Sequence, residues 1–381
     1  MFTEEQQLIQ QTARDFAMRE VLPVANRLDP ERGDIPMELR ERMAELGFFG
    51  ILIPEEYGGA GLGCLEYCMV TEELSRAWMS VGSIIRPCVG INAMSEAQKQ
   101  KYLPAMATAE KIGAFSMSEP GTGSDISGLS CRAVRDGDEW VITGNKYWCT
   151  FADGADFIVV LARTTPPSDP KKRYSGITAF IVDKERGSLP KGVSGAPIPK
   201  IGYFGWKTWE LAFDGCRVPA SQMLGEEGSG FFIATKGLEV ARAHTAARAI
   251  GLARGALEDA TAYVKERVQF GRPIAEFQAL RFKLAQMATE IEAARQLMYH
   301  VCRQIDAGGR CDLEASMVKL YATEMAERVT SEALQLHGGA GYTTLHAVER
   351  YWRDARLTKI FEGTSEIQLK IISDHLLGKA K

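Results

Sequence analysis

Signatures of metal and nucleotide chemistry are scarce in this chain. Its five histidines (His244, His300, His337, His346, His375) form no HExxH, and eight cysteines at positions 64, 68, 88, 131, 149, 216, 302 and 311 include no CxxC, so a metal site has little support. GxSxG and GxxxxGK[ST] are missing, which removes the nucleophile elbow of a serine hydrolase and the phosphate loop of an NTPase. GxGxxG is missing too, so a Rossmann dinucleotide site is not indicated. Apolar runs such as Phe157 to Ala162 fall far short of the roughly 20 residues a membrane helix needs. The opening stretch MFTEEQQLIQQTARDF is acidic and amide-rich where a secretory signal would be basic and then apolar. A cytoplasmic location without membrane insertion is therefore expected. Free thiols are expected rather than a disulfide framework, with Cys64 and Cys68 as core or helix-face residues. Charge of one sign is also lacking. Forty-five Lys and Arg against 49 Asp and Glu leave a net charge of -4, which gives no field to gather nucleic acid.

What is present is an ordinary globular composition, 45% hydrophobic and 25% charged over 381 residues, long enough for two or three lobes without staples. Residues 1–110 read as helices broken by a Gly-rich loop from Glu55 to Gly61. Residues 111–222 read as a sheet, expected antiparallel. Glu139 to Gly144 follows an Asp136-Gly137 turn, and Phe157 to Arg163, Ile177 to Asp183 and Trp209 to Asp214 are short β-rich runs between turn residues. Residues 223–381 return to a helical period. Phe277, Leu280, Leu284, Met287, Ile291, Ala294, Met298, Val301 and Ile305 step by three and four until Gly308-Gly309, and Met317, Leu320, Tyr321, Met325 and Val329 continue the stripe. With the stretch from Ala253 to Val264 and a last helix from about Ser365, this makes a four-helix bundle. The class is α+β.

Three Gly-rich turns lie at element junctions: Ser118 to Asp125, His337 to Tyr342 and Phe361 to Glu366. Each could lay backbone amides against an anionic or aromatic ligand, and each could equally be a structural turn. From residue types alone, the chain is a ligand-binding α+β protein.

Taken together and in order, these turns resemble the acyl-CoA dehydrogenase family of flavoproteins. So do Lys101-Tyr102-Leu103-Pro104, Asn145-Lys146-Tyr147-Trp148, Glu266 to Pro273 and Arg353-Asp354-Ala355-Arg356. The resemblance runs over essentially the whole chain. It implies a helical amino-terminal domain, a middle β domain, a carboxy-terminal four-helix bundle, FAD as cofactor, an acyl-CoA substrate and electron-transfer flavoprotein as acceptor. By the same resemblance Phe115, Met117, Ser118, Gly123, Ser124, Trp148 and Thr150 line one side of the FAD. Arg267, Gln269, Phe270, Phe277, Gln278, Gln335, Gly338 and Gly339 match positions that reach the FAD of a neighbouring subunit, which implies a homotetramer. Thr364 and Glu366 match further FAD contacts, and Ser124, Glu239, Arg242 and Gly363 match substrate contacts. Arg242 could equally be a solvated helix charge.

Glu362 matches the catalytic base. A free carboxylate, with a pKa of about 4.3, is a poor base for a thioester α-proton, so desolvation is expected to raise its pKa. The Glu362 backbone amide and a ribityl hydroxyl are implied donors to the thioester carbonyl. Some relatives carry the base at the position of Ala241, which cannot serve. The segment from Ser80 to Gly90 falls where relatives line the far end of the acyl pocket, and Arg86 is unexpected there. It needs a carboxylate partner, either within the protein or at the end of a dicarboxylic acyl chain such as glutaryl. Arg248 stands where many relatives have a small residue, and the segment from Tyr203 to Trp209 is unusually aromatic. Both read as repacking between sheet and bundle, or as a narrowed entrance. The rival readings are a decarboxylating glutaryl-CoA enzyme, an oxidase and a catalytically silent flavoprotein assembly factor.

Overall fold

A computed structural model describes residues 2–86 and 90–378. The amino-terminal lobe holds α1 (Glu4–Phe16), α2 (Leu22–Leu28), α3 (Met37–Glu45), α4 (Cys64–Ala77), α5 (Met79–Ile84) and α6 (Glu96–Ala107). Capping boxes start α1 at Thr3 with Gln6 and α6 at Ser95 with Gln98, each satisfying two otherwise unpaired backbone donors. Helix α4 is buried on every side, although it carries Glu72, Glu73 and Arg76. Those charges are matched by the carboxy-terminal helices: Arg295 lies 3.0 Å from Glu72, and Arg76 lies 2.8 Å from both Glu258 and Asp259. Arg254 clasps Glu73.

The middle lobe is built from β1 (Gly113–Ser116), β2 (Arg132–Asp136), β3 (Glu139–Thr150), β4 (Phe157–Arg163), β5 (Ile177–Asp183), β6 (Val193–Pro197), β7 (Thr208–Pro219) and β8 (Met223–Leu224). The sheet order is β6-β7-β3-β2-β4-β5-β8, with β1 beside β4. The purely antiparallel expectation needs a correction, because β1 pairs with β4 in parallel and β2 touches β4 through one parallel pair. Strands β4 and β5 are buried on both faces and read as unbroken apolar runs. Strands β3 and β7 outrun the expected Glu139 to Gly144 and Trp209 to Asp214, because register shifts at Ile142/Gly144 and Lys146/Cys149 break the alternation that marks a strand.

The chain then forms α7 (Gly230–Thr235) and α8 (Leu238–Glu266), a hairpin of β9 (Val268–Gln269) and β10 (Arg272–Pro273), and α9 (Gln278–Asp306), α10 (Asp312–His337), α11 (Val348–Thr358) and α12 (Ser365–Leu377). The stripe read from the sequence buries Met287, Ile291, Ala294, Met298 and Val301 on α9. Helix α11 adds a fifth long element, and its Tyr351 is fully buried against Arg76 and Asp259.

Helix α8 meets α4 backbone to backbone. A Cβ on Gly251 would lie 2.4 Å from the Glu72 carbonyl oxygen and 3.0 Å from the Arg76 nitrogen, and one on Gly255 would lie 2.9 Å from the Arg76 carbonyl oxygen. Where α4 meets α9, three buried thiols converge, with Cys64 Sγ 3.9 Å from Cys68 Sγ and 3.7 Å from Cys302 Sγ. Gly251→Ala forces these helices apart and is expected to cost about 1–3 kcal/mol, read as a lower urea midpoint at unchanged m-value. An unchanged midpoint would show that the crossing yields freely.

Candidate active site

After α11 the backbone makes two successive left-handed residues, Glu362 at φ 54° and Gly363 at φ 91°. A glutamate in that region is strained, by about 1–2 kcal/mol, and such strain persists only where surrounding contacts over-determine it. Here Lys319 Nζ from α10 donates to the Gly363 carbonyl at 2.7 Å, and Gln368 Nε2 from α12 donates to it at 3.1 Å. Thr364 caps α12 by accepting from the Ile367 N–H at 3.3 Å. A Cβ at Gly363 would lie 2.5 Å from Gln368 Nε2. The turn therefore presents the Glu362 side chain toward α8.

On α8 the carboxylate meets Arg248. The Arg248 side chain is only 1% exposed and that of Glu362 23%, with Nη2 2.7 Å from Oε2. Thr245 Oγ1 donates to the same oxygen at 2.6 Å. Arg248 also donates to Thr245 Oγ1 at 2.9 Å and to Ser83 Oγ at 3.2 Å, and lies 4.6 Å over the Phe361 ring. Its Nε has no partner among the described residues. Burial pushes the Glu362 pKa up, but the Arg248 charge and the Thr245 hydroxyl outweigh it and hold it down at about 2. This overturns the expected upward shift: the desolvation is present, and a counter-ion cancels it. Burial, followed by Arg248, takes His244 down to about 3, so its ring is neutral and its Nε2 donates to the Gly82 carbonyl at 3.0 Å.

Arg86 comes just after α5, half-buried, and its charge bears on His244, Tyr203 and Cys149. Tyr203 and His244 feel Arg248 and Glu362 as well. Both guanidiniums thus lie near Tyr203 and His244. Among the described residues no carboxylate pairs with Arg86, while Arg248 takes Glu362. Pro87, Cys88 and Val89, part of the segment expected to line the far end of the pocket, lie outside the described residues. The aromatic segment packs against the turn that carries Glu362. Tyr203 and Trp206 are buried, Tyr203 sits edge-on to Phe361 at 6.0 Å, and the Tyr203 N–H donates to Asp354 at 2.6 Å.

The residues expected to face a flavin fall in two groups. Phe115, Met117 and Ser118 lie at and just beyond the end of β1 and are half-buried, while Gly123 and Ser124 are exposed or nearly so. Beneath them the buried pair of Lys146 and Glu119, 3.0 Å apart, ties this loop to β3, with Lys146 also donating to the Met117 carbonyl at 2.9 Å. Beside it the irregular end of β3 lifts Trp148, at φ 65° and 55% exposed, out of the sheet next to Thr150. A half-exposed indole on a strained bulge, next to backbone with open space over Gly121 and Gly123, fits a flat ring system with an anionic tail. In the second group Arg267, Gln269 and Phe270 occupy the β9–β10 hairpin, whose tip Phe270 stands at φ 52° and 94% exposed. Phe277 and Gln278 begin α9. Gln335, Gly338 and Gly339 end α10, and Thr364 and Glu366 begin α12.

Glu239 and Arg242, expected at the CoA portion, are engaged within the chain. Glu239 Oε1 accepts from the Cys311 N–H at 3.0 Å, and Arg242 is buried with Nη1 3.8 Å from Asp312. The alternative of a solvated Arg242 therefore fails. Sequence reasoning missed Lys319, Thr245 and the pairing of Arg248 with Glu362. A signal for the last was available: Arg248 interrupts a run of small residues, Thr245 to Ala249, where a helix packs too tightly to leave an arginine unpaired.

A catalytic-type glutamate on a strained turn, a lifted indole and this three-lobed fold agree with the similarities found. The chain belongs to the acyl-CoA dehydrogenase family, matching its N-terminal domain over residues 3–110, its middle domain over 114–216 and its C-terminal domain over 228–377. It is 41% identical to an acyl-CoA dehydrogenase of Bacillus subtilis over 99% of both chains. It is 43% identical to a (2S)-methylsuccinyl-CoA dehydrogenase of Cereibacter sphaeroides over 98% of this chain and 70% of that one. A solved glutaryl-CoA dehydrogenase in complex with glutaryl-CoA superposes with a TM-score of 0.92 at 34% identity, covering 100% of this chain and 97% of the other. The protein is an oxidoreductase of that family.

Because the folded Glu362 pKa, about 2, lies below its unfolded value of about 4.3, the pair with Arg248 contributes fully above that unfolded value. The contribution, about 3 kcal/mol, is lost as pH falls through the folded value. Urea unfolding across the acid range should show wild type losing this increment and Glu362→Gln not losing it. Parallel curves would remove Arg248 as the cause of the depressed pKa.

Proposed function

We propose that this chain is an FAD-dependent dehydrogenase that converts the acyl-CoA thioester of a short dicarboxylic acid to its 2-enoyl-CoA, with Glu362 as the base. The observation that carries the dicarboxylate is unanswered positive charge beside Glu362: Arg248, buried against that carboxylate, has an Nε with no partner among the described residues, and the half-buried Arg86 pairs with no carboxylate among them. A buried guanidinium with an unfilled donor, and a half-buried one near it with no carboxylate partner, call for a further anion. A neutral acyl chain would leave that field unanswered.

Glu362 takes the α-proton on its carboxylate, and its backbone amide, presented by the left-handed turn, donates to the thioester carbonyl as negative charge develops there. FAD, when bound, supplies the acceptor for the β-hydride, so both C–H electron pairs are accounted for in one new double bond and one two-electron reduction. Trp148 and Thr150 form the wall that orients it, and the Lys146–Glu119 pair fixes the loop carrying Met117 and Ser118. Tyr203, Phe361 and the buried face of α4 and α8 exclude water. The family resemblance supports electron-transfer flavoprotein as the onward acceptor. A homotetramer is supported by large apolar side chains left on the surface of the carboxy-terminal lobe, among them Phe270, Phe282, Tyr342 and Leu345. The presence of Glu362 speaks against a silent assembly factor.

Anaerobic titration of the flavin-loaded protein with butyryl-CoA, glutaryl-CoA and methylsuccinyl-CoA tests the substrate class by flavin absorbance. Bleaching by a dicarboxylic thioester in preference to butyryl-CoA is expected. Arg86→Ala should narrow that preference, and Glu362→Gln should slow bleaching by about 10²–10⁴-fold while retaining the flavin. Preferential bleaching by butyryl-CoA would return the chain to neutral substrates. Release of labelled carbon dioxide from glutaryl-CoA would add decarboxylation.

A further inference from the structure

The Arg248–Glu362 contact poses a chemical problem. The glutamate placed to act as base is tied to a fully buried guanidinium and a hydroxyl through one of its two oxygens, Oε2. In that state it is a weaker base than a carboxylate in water. Arg248 itself is not saturated. Of its five N–H groups, three are engaged, by Ser83, Thr245 and Glu362, and Nε points at no acceptor among the described residues although the side chain is sealed from solvent. An unfilled donor on a buried cation is costly and marks a place for a further acceptor.

We infer that Arg248 is the seat of the substrate's free carboxylate, and that this carboxylate takes the guanidinium from Glu362 on binding and so frees the base. The inference rests on the dicarboxylate reading above and specifies which arginine reads the anion and how that reading acts on the base. Geometry restricts the acid. With Oε2 as the oxygen that takes the α-proton, it stands about 3–3.5 Å from the α-carbon, and Arg248 Nη2 is 2.7 Å from Oε2. The guanidinium is therefore within about 6 Å of the α-carbon, and one hydrogen bond of about 2.8 Å leaves about 3–4 Å for the acid's own span. That span fits a carboxylate carried on the β-carbon or one carbon further, as in succinyl and glutaryl thioesters, and not the end of a long chain.

Exchange has two effects of the same sign. Losing Arg248 removes the charge that holds Glu362 down, and the new carboxylate beside it disfavours a second negative charge, which raises its affinity for a proton. The fork of the guanidinium, with Nε unused, suits two-pronged capture of a carboxylate. Thr245 remains to steady Glu362. Arg86, which bears on the same His244 and Tyr203, adds a field but has no contact with the base. A neutral thioester of equal length fills the pocket without releasing Glu362, so discrimination appears in the rate of flavin reduction and not only in binding.

The test is stopped-flow flavin reduction in wild type, Arg248→Gln, Arg248→Lys and Arg86→Ala, each with succinyl-CoA, glutaryl-CoA and butyryl-CoA. Wild type should reduce faster with the two dicarboxylic thioesters. In Arg248→Gln that rate should fall by about 10²–10³-fold, the loss expected on removing one partner of a buried charge pair, while reduction by butyryl-CoA becomes faster because Glu362 is released. Opposite movement of the two rates is what a merely structural arginine would not produce. Equal falls for all thioesters would overturn the inference, as would an unchanged ratio. If Arg248→Gln does not yield flavin-loaded protein, Arg248→Lys carries the test, with a smaller fall for the dicarboxylic thioesters and, since lysine keeps the charge but loses the fork, a smaller rise for butyryl-CoA; equal falls there overturn it. Collapse of the preference in Arg86→Ala alone would leave the dicarboxylate reading standing and remove Arg248 from it. A wild type reduced by butyryl-CoA and by neither dicarboxylic thioester would overturn both.

Discussion

A guanidinium taken wholly out of water must be answered by negative charge, and in this fold Arg248 is answered by Glu362, the residue proposed as the base. The pairing organises more than two side chains. Glu362 reaches Arg248 only because the chain leaves α11 through two left-handed residues, and that turn holds only because Lys319 and Gln368 both grip the Gly363 carbonyl. A buried ion pair is costly to break but is often no more stabilising than apolar residues of the same size, since desolvation offsets most of the attraction. What this one contributes is placement: the carboxylate has one position and one counter-ion before any ligand arrives.

The same logic recurs where the lobes meet. Glu72, Glu73 and Arg76 would be intolerable on a helix with no solvent-facing side, and each is matched by an arginine or acid from α8 or α9. Because Gly251 and Gly255 let the α8 backbone touch α4, these charges approach without long, flexible reach. The helical lobes are therefore locked in register by complementary charge inside an apolar contact. The position of Ser83 relative to Arg248, which joins the first lobe to the last beside Glu362, is set by that register.

Much of this is legible from sequence. Runs such as Phe157 to Arg163 and Ile177 to Asp183 mark strands at their observed bounds, because a strand buried on both faces is an unbroken apolar run between turns. Strand β3 is legible only to Gly144, because its bulge turns Trp148 outward and spoils the period. Family resemblance marks Glu362 as the proposed base, yet its electrostatics are not legible. A pKa depends on what stands opposite in space, and Arg248 is more than a hundred positions away in sequence. Arg86 stands out because a cation beside an apolar segment breaks a local rule. Arg248 breaks the same rule more severely and yet reads as packing, since an arginine on an exposed helix face is ordinary and only burial makes it exceptional.

The cluster of Cys64, Cys68 and Cys302 lies where α4 meets α9, deep enough that no reagent reaches it in the closed molecule. Its three sulfurs belong to helices from the two ends of the chain, so they become accessible together only when those helices part. Alkylation of these thiols is thus a clock for the opening of the lobe interface. At low reagent excess its rate is set by the equilibrium of opening, and at high excess by the opening step itself. The amino-terminal lobe and the bundle carry a built-in chronometer of their own cohesion, one that runs without flavin, substrate or turnover.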